Sequence, residues 1–315
     1  MGLLTFTKAQ RLGSHVIVAV VGESSSGKTY SSILLARGLV GEKGKLAMID
    51  TETGRGRMYA KIADYDYAEL TPPFTPERYI AAIKEAEEAG YDALILDSGS
   101  HEWEGIGGTL EVADNMKNKE GKALTGLVKW AEPKARHKKF VQSLLNTRMH
   151  LIICLRAKEK LKQIEVNGKK EIVSEGYVSV QDKRFIYETT VQLFLPKDNP
   201  KMLGIPRLDK CPEDLLGAFP PGQRISIDTG KRIAEWVAGG APVDHATEAL
   251  RREAEEAAEG GTAVLEVMWK RLTKPQQIAL KPYMENIKSI AATADAESKP
   301  VFETADERQP GEDDA

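Results

Sequence analysis

Residues 22–29 constrain the fold of this 315-residue chain more than any other segment. Their sequence, GESSSGKT, matches the P-loop pattern, which binds nucleotide phosphates. The two glycines allow the backbone to turn so that its N–H groups point at a polyphosphate, and the next helix adds the positive end of its dipole. A β-branched apolar run at 15–21 precedes the loop, and apolar residues with helical spacing follow it over 28–39. The sequence therefore predicts a strand, a loop and a helix that hold a nucleoside triphosphate.

Two side chains of the loop have distinct roles toward the nucleotide. The ammonium group of Lys28 reaches the β and γ phosphates, and the hydroxyl of Thr29 ligates Mg²⁺, a hard ion that prefers oxygen. We therefore expect Mg²⁺ as a cofactor. The predicted nucleotide-binding residues are Gly22, Glu23, Ser24, Ser25, Ser26, Gly27, Lys28, Thr29 and Tyr30.

Two further strand candidates lead into acidic residues. Residues 45–50 (KLAMID) continue to Glu52, and residues 93–97 (ALILD) end at Asp97. Because the carboxyl ends of parallel strands face the ligand crevice, both carboxylates can converge on the γ-phosphate. Asp97 fits the carboxylate that holds the magnesium shell through a water molecule, so the predicted metal-binding residues are Thr29 and Asp97. The alternative is that Asp97 caps the next turn.

The P-loop, the strand ending in IDTE at Glu52 and the strand ending in ILDS at Ser98 together resemble the core of the RecA-type ATPases. The resemblance implies an α/β fold, RecA-like, with a mostly parallel central sheet flanked by helices. It also implies that the chain hydrolyses ATP and that Glu52 is the base that orients and deprotonates the attacking water. Glu102 and Glu104, which follow the Asp97 strand closely, remain alternatives for this role.

A narrower resemblance rests on residues 97–105 and on the sequence LRAK at 155–158. Both are similar to segments of phage-encoded RecA-core ATPases called AAA-family ATP-binding proteins, some of which act as single-strand annealing recombinases. The resemblance covers roughly residues 14–238. It implies action on single-stranded DNA in phage recombination or replication, in the cytoplasm of the host cell.

A fourth buried strand, predicted over 150–155, ends at Arg156, and Lys158 follows it. A cation at this position can sense the γ-phosphate of its own subunit or reach that of a neighbour, which would require a homo-oligomer. A solvated basic loop is the alternative. The predicted catalytic residues are Glu52, Lys28, Arg156 and Lys158.

The remaining pattern predicts a protruding ribbon and the closing elements of the core. Asn167 and Gly168 lie between two alternating runs over 160–173, which is a strong hairpin signal. We predict strands over 185–195, with Glu188 inside, and over 224–228, and a helix over 230–237.

Composition and the positions of linker-type residues divide the chain into three predicted segments. We predict an ATPase domain over 1–240, a small helical extension over 241–296 and an acidic, disordered tail over 297–315. The extension contains helical patterns over 246–258 and 263–292, and Pro275 marks a new helix start after Thr273.

The charge distribution suggests a partner. The whole chain has a formal net charge of −3, but residues 122–170 contain thirteen Lys or Arg against three acids. Such a surface gains from counterion release on a nucleic-acid backbone, and Phe140 at the end of the basic run 134–139 could stack on bases. A solvated, lysine-rich helix face is the alternative.

Other features exclude some classes of protein. The two cysteines have neither metal nor disulfide spacing, the five histidines form no ligand cluster, and no apolar run is long enough to span a bilayer. We therefore expect a cytoplasmic protein that does not bind membranes. The alternative function is a nucleotide-dependent switch or assembly factor that acts on a protein partner, such as a phage or host replication protein, through the C-terminal helices.

Overall fold

A mostly parallel β-sheet forms the centre of the computed structural model, which describes residues 14–166, 169–197, 203–239 and 245–297. The sheet order is β3-β2-β4-β5-β1-β7-β8; β8 is antiparallel to β7, and β6 pairs antiparallel with β5. This arrangement confirms the predicted fold class. The strands are β1 (Ile17–Gly22), β2 (Leu46–Asp50), β3 (Asp66–Glu69), β4 (Ala93–Asp97), β5 (His150–Val166), β6 (Lys169–Ser179), β7 (Val191–Leu195) and β8 (Arg207–Lys210).

The central strands are apolar because both faces of the sheet are covered. Every residue of β1, β2, β4 and β7 is buried. Alternate side chains point to opposite faces, so Val18 and Val20 belong to one core cluster while Ala19 and Val21 belong to the other.

Helices cover the two faces of the sheet. Helices α1 and α7 contribute to the first core cluster, and α2 and α5 contribute to the second. The helices of this unit are α1 (Lys28–Val40), α2 (Pro76–Glu88), α3 (Ser100–Glu104), α4 (Thr109–Asp114), α5 (Ala131–Asn146), α6 (Phe185–Glu188) and α7 (Ile227–Val237).

Helix α1, which follows the P-loop, packs on α7 through two glycines. A Cβ atom at Gly38 would lie 1.9 Å from the carbonyl oxygen of Ile227, and one at Gly230 would lie 2.1 Å from that of Leu35. The two backbones therefore approach too closely for any side chain at either position.

We expect Gly38→Ala to lower the free energy of unfolding by about 1–3 kcal/mol or more, because the added methyl group must push α7 away. Urea denaturation measures this loss. Gly217→Ala is the matched control, since a Cβ there meets no atom within 4 Å. Equal losses in the two variants would contradict the close packing of α1 on α7.

Two predicted strands are corrected by local hydrogen bonds. The segment 185–195 is not a single strand, because Phe185–Glu188 forms a helical turn in which the Phe185 N–H bonds to Asp182 O, and only Val191–Leu195 joins the sheet. The segment 224–228 is not a strand, because Ser226 and Thr229 form a capping box that starts α7 at Ile227.

The predicted hairpin is confirmed and is longer than expected. Strand β5 does not end at Leu155 but continues from the central sheet to Val166, and β6 pairs back along it to place Lys169 opposite Val166. The predicted turn residues Asn167 and Gly168 lie outside the described residues. The central sheet and the ribbon therefore share one strand.

A second unit begins in the chain at Ala246. Its core joins Leu250, Leu265, Leu280 and Ile287 from successive helices. The predicted helix start at Pro275 is confirmed, because a Thr273–Gln276 capping box opens the helix there. The helices are α8 (His245–Glu259), α9 (Thr262–Arg271), α10 (Lys274–Leu280) and α11 (Met284–Glu297).

The limits predicted for the three domains stay predictions, and nearly all of the predicted tail, from 298 onward, lies outside the described residues. Within the described ranges, no helix combines the length and the apolar character that crossing a bilayer requires.

Candidate active site

The P-loop adopts a turn that leaves its backbone available to an anion. Ser25 and Gly27 have positive φ angles of 66° and 91°, and Gly27 leads directly into α1. Among the described residues, no side chain caps the N-terminus of α1. The first N–H groups of the helix and its dipole therefore remain available to phosphate oxygens.

Side chains of the loop add to this phosphate site. The Lys28 ammonium donates a hydrogen bond of 2.7 Å to the carbonyl oxygen of Glu23, which holds it against the loop. The hydroxyl of Ser26 is buried against Gly22, where a Cβ atom would lie 2.3 Å from it, so residue 22 must be glycine. Ser24 and Ser25 are exposed, and Tyr30 is also largely exposed at the start of α1.

Asp97 and Thr29 meet at the base of the loop. The Thr29 hydroxyl donates to Asp97 Oδ2 at 2.6 Å. Burial raises the pKa of Asp97, while the Thr29 hydrogen bond and the positive charge of Lys28 oppose the shift and Glu52 adds to it. A buried carboxylate beside a hydroxyl fits a hard cation, so these two predicted ligands would hold Mg²⁺ together with phosphate oxygens. The ion would neutralise charge on the phosphates.

Glu52 is held by Arg156 at the same edge of the sheet. The guanidinium donates to Glu52 Oε1 from Nε at 3.0 Å and from Nη2 at 2.7 Å. Arg156 is the register partner of Gly22, the first residue of the P-loop, in the β1–β5 pairing. The sheet therefore brings Glu52, Arg156 and the loop together at one edge.

The loop that carries Glu52 is anchored by Asp50, a residue that the sequence analysis did not assign to the site. The Asp50 carboxylate accepts hydrogen bonds from the backbone N–H of Glu52 at 2.5 Å, from that of Gly56 at 2.8 Å and from the Tyr67 hydroxyl at 2.9 Å. Burial raises the pKa of Tyr67 to about 12, and the hydrogen bond to Asp50 contributes to the shift. The position of Asp50 at the end of β2, two residues before Glu52, is the sequence signal that could have assigned it to the site.

Thr51 and His101 join the ends of β2 and β4. The Thr51 hydroxyl accepts from the Ser98 N–H at 2.8 Å and lies 2.7 Å from His101 Nδ1. Burial lowers the pKa of His101, and the nearby charge of Arg156 lowers it further. These contacts keep the strand ends that carry Glu52 and Asp97 in register. Nothing in the local sequence pattern identified them.

The two alternative glutamates have different surroundings. Glu102 is fully buried and accepts hydrogen bonds from Thr109 at 2.9 Å and Gln181 at 3.3 Å, and His137 Nδ1 lies 3.1 Å from both its oxygens. Glu104 instead lies at the site, with Oε1 3.8 Å from Arg156 Nη1. Glu104 is therefore the better placed alternative to Glu52.

Lys158 lies farther along β5, exposed and in register with Val178 of the ribbon. No hydrogen bond or ion pair joins its side chain to the P-loop in the described part of the chain. Its assignment to the site stays a prediction from the sequence.

The predicted basic surface is smaller than the sequence count implies. Several of its cations are paired with acids, most closely Arg136, whose guanidinium binds Glu77 at 2.8 and 2.7 Å. This pairing lowers the pKa of Glu77 to about 2. The prediction that Phe140 stacks on bases is also wrong, because its ring is fully buried in the core. Other paired cations of the stretch are Lys122, Lys129, Arg148, Arg156, Lys160 and Lys162.

A different aromatic lies at this surface. The ring of Trp130 is 5.4 Å from Lys129 Nζ and 5.8 Å from Lys134 Nζ. It is nearly parallel to the ring of Trp103, with centroids 6.4 Å apart. Lys138 follows Lys134 by one helical turn on α5, so both belong to one face of that helix. We call Trp103, Lys129, Trp130, Lys134 and Lys138 the Trp130 surface.

Comparison with known proteins agrees with this architecture. The family model AAA_24, described as an AAA domain, matches residues 14–191, more than half of the chain. The chain belongs to the AAA_24 family. Its AAA domain has the fold of a P-loop ATPase, and the matched residues include the P-loop, Glu52, Asp97 and Arg156.

Among solved structures, this chain is similar to the KaiC-like protein PH0186 of the hyperthermophilic archaeon Pyrococcus horikoshii OT3. The identity is 12%, the TM-score is 0.35, and the match covers 63% of this chain and 80% of that one. None of the curated proteins compared with the sequence matches it significantly.

Proposed function

We propose that this AAA domain hydrolyses ATP and that single-stranded DNA stimulates the hydrolysis, in the recombination or replication of a phage. The resemblance of the sequence to phage-encoded ATPases supports the biological setting. The observation that carries the enzymatic half is the meeting of Glu52, Arg156, Asp97 and the P-loop at one edge of the sheet.

The proposed reaction uses the side chains in separate roles. Lys28 and the P-loop N–H groups would hold the β and γ phosphates, and Thr29 and Asp97 would hold Mg²⁺. Glu52 orients a water molecule and accepts its proton as the water oxygen attacks the γ-phosphorus and the bond to the β-phosphate oxygen breaks. Arg156 holds Glu52 in place and adds positive charge near the transferred group.

The Trp130 surface supports the DNA half of the proposal. Indole rings stack on bases of any sequence, and Lys134 and Lys138 beside them would attract the phosphate backbone. Helix α3 also carries both Trp103 and Glu104, and Glu104 contacts the Arg156 that holds Glu52. DNA bound at the Trp130 surface would therefore contact the helix whose Glu104 reaches Arg156, and Arg156 in turn holds the proposed base, Glu52.

We expect Trp130→Ala to leave ATP turnover without DNA unchanged, to abolish its stimulation by single-stranded DNA, and to weaken DNA binding by about tenfold or more. Steady-state ATPase assays and fluorescence anisotropy at several salt concentrations measure these effects. Tyr187→Ala, which removes an exposed aromatic ring from α6, is the control and should behave as the wild type.

A second variant, Lys134→Glu, tests the same surface by reversing one charge, and it should weaken binding most at low salt. If saturating single-stranded DNA leaves wild-type turnover unchanged and no salt-dependent binding is measured, the DNA half of the proposal is wrong. The ATPase half of the proposal is tested separately, by whether the wild-type protein hydrolyses ATP.

A further inference from the structure

A groove of about 1100 Å³ lies on the C-terminal helical unit, lined by α9, α10 and α11. Its apolar lining comes from Leu265, Trp269, Ile278 and Met284. Ile278 is 70% exposed. The groove therefore presents large apolar side chains in a concave surface, as ligand sites commonly do.

Hydrogen bonds fix the shape of the groove. The side-chain amide of Gln277 donates to the carbonyl oxygens of Trp269 at 3.1 Å and Leu272 at 3.4 Å, which ties α10 to the end of α9. The Thr273–Gln276 capping box holds the turn between the two helices. A ligand would meet a preformed surface and would lose little affinity to ordering it.

The border of the groove is strongly basic. Its charged lining residues are four lysines and a single acid, Glu266. Residues 246–297 as a whole contain nine acids and seven bases, so four of the seven bases are gathered here in an otherwise acidic unit. In the described part of the chain, none of the four ammonium groups forms an ion pair. The lysines are Lys270, Lys274, Lys281 and Lys288.

We propose that this groove binds an acidic peptide segment of another protein, one that carries an aromatic or aliphatic side chain between its carboxylates. The carboxylates would relieve the mutual repulsion of the lysines, and the apolar side chain would cover Ile278 and Trp269. A nucleic acid fits less well, because the apolar part of the lining is mostly aliphatic and offers one indole for stacking. The inference rests on the second unit alone and is independent of the proposed ATPase activity.

The test measures binding of a fluorescein-labelled synthetic peptide, in which aspartates flank a Phe-Leu pair, to the full chain by fluorescence anisotropy. We expect saturable binding that weakens about tenfold in the double variant Lys274→Glu/Lys281→Glu and in Ile278→Ser. Arg271→Glu is the matched control, since Arg271 is exposed on α9 but does not line the groove, and it should change affinity less than about twofold. Circular dichroism confirms that the variants are folded.

Four results would overturn the proposal. If Arg271→Glu weakens peptide binding as much as Lys274→Glu/Lys281→Glu does, the effect of charge is not local to the groove. Equal affinity for a peptide with serines in place of Phe-Leu would show that no apolar contact contributes to binding. Full competition by a single-stranded oligonucleotide would identify a nucleic-acid site instead. Tenfold tighter binding after deletion of residues 298–315 would identify the chain's own acidic segment as the occupant.

Discussion

Replacing Glu52 by glutamine is expected to lower ATP turnover by about 10²–10⁴-fold while ATP binding stays nearly unchanged. Glutamine keeps the shape of the side chain and can still accept a hydrogen bond from Arg156, so the edge of the sheet should remain intact. It cannot accept a proton from the attacking water. Turnover is measured by phosphate release, and binding by titration with a fluorescent ATP analogue.

Glu104→Gln is the matched control for this experiment. Both glutamates contact Arg156, but Glu52 binds it with two short hydrogen bonds, whereas Glu104 lies 3.8 Å away. We expect the Glu104 variant to keep most of the turnover measured without DNA. Full activity in Glu52→Gln together with its loss in Glu104→Gln would transfer the role of base to Glu104.

Replacing Asp97 by asparagine is expected to change activity and stability in opposite directions. Hydrolysis should fall by about a hundredfold or more, because the charged ligand of Mg²⁺ is lost. The nucleotide-free protein should melt at a higher temperature at neutral pH, because burial disfavours the charged form of the Asp97 carboxyl group, whereas asparagine carries no charge. Asparagine can still accept the hydrogen bond from the Thr29 hydroxyl.

The stability gain has a defined pH dependence. Burial raises the pKa of Asp97 in the folded protein above its value in the unfolded chain, so the folded state binds the proton more tightly. Raising the pH from the unfolded-state pKa through the folded-state pKa therefore costs the wild type stability that the asparagine variant does not lose. The difference in Tm should grow with pH over that window and shrink in acid. Differential scanning calorimetry measures it.

Asp114→Asn is the control for the stability effect. Asp114 is mostly exposed and forms a surface ion pair with Lys129, so its removal should change the Tm little. If Asp97→Asn melts below the wild type at neutral pH, the carboxylate of Asp97 stabilises the fold, and the expected cost of its burial is wrong.

The parts of the fold that the sequence predicted are those set by local pattern. The P-loop, the strand ending at Asp97 and the hairpin are each encoded within a few neighbouring residues, and parallel strand ends must meet at one edge. Phe185–Glu188 shows the limit, because its apolar run is equally compatible with a strand. Hydrogen bonds at either end of the turn, rather than hydrophobicity, select the helix.

The contacts that complete the site could not be predicted in the same way. Arg156 and Glu52 are 104 residues apart, and their pairing depends on which strands are neighbours and in which register. The same limit affected the basic segment. Counting charges could not reveal that Arg136 is paired with Glu77 or that Phe140 lies in the core, since both depend on how α5 packs.

The unbroken course of β5 has a mechanical consequence. The strand places Arg156 beside the P-loop and then runs ten further residues to Val166, which corresponds to about 33 Å of extended chain. No loop interrupts this path, and β6 pairs with it from Ala157 to Val166, with one register shift between Glu159 and Leu161. A force applied to the ribbon would therefore act on the same strand that positions Arg156, whose guanidinium holds Glu52.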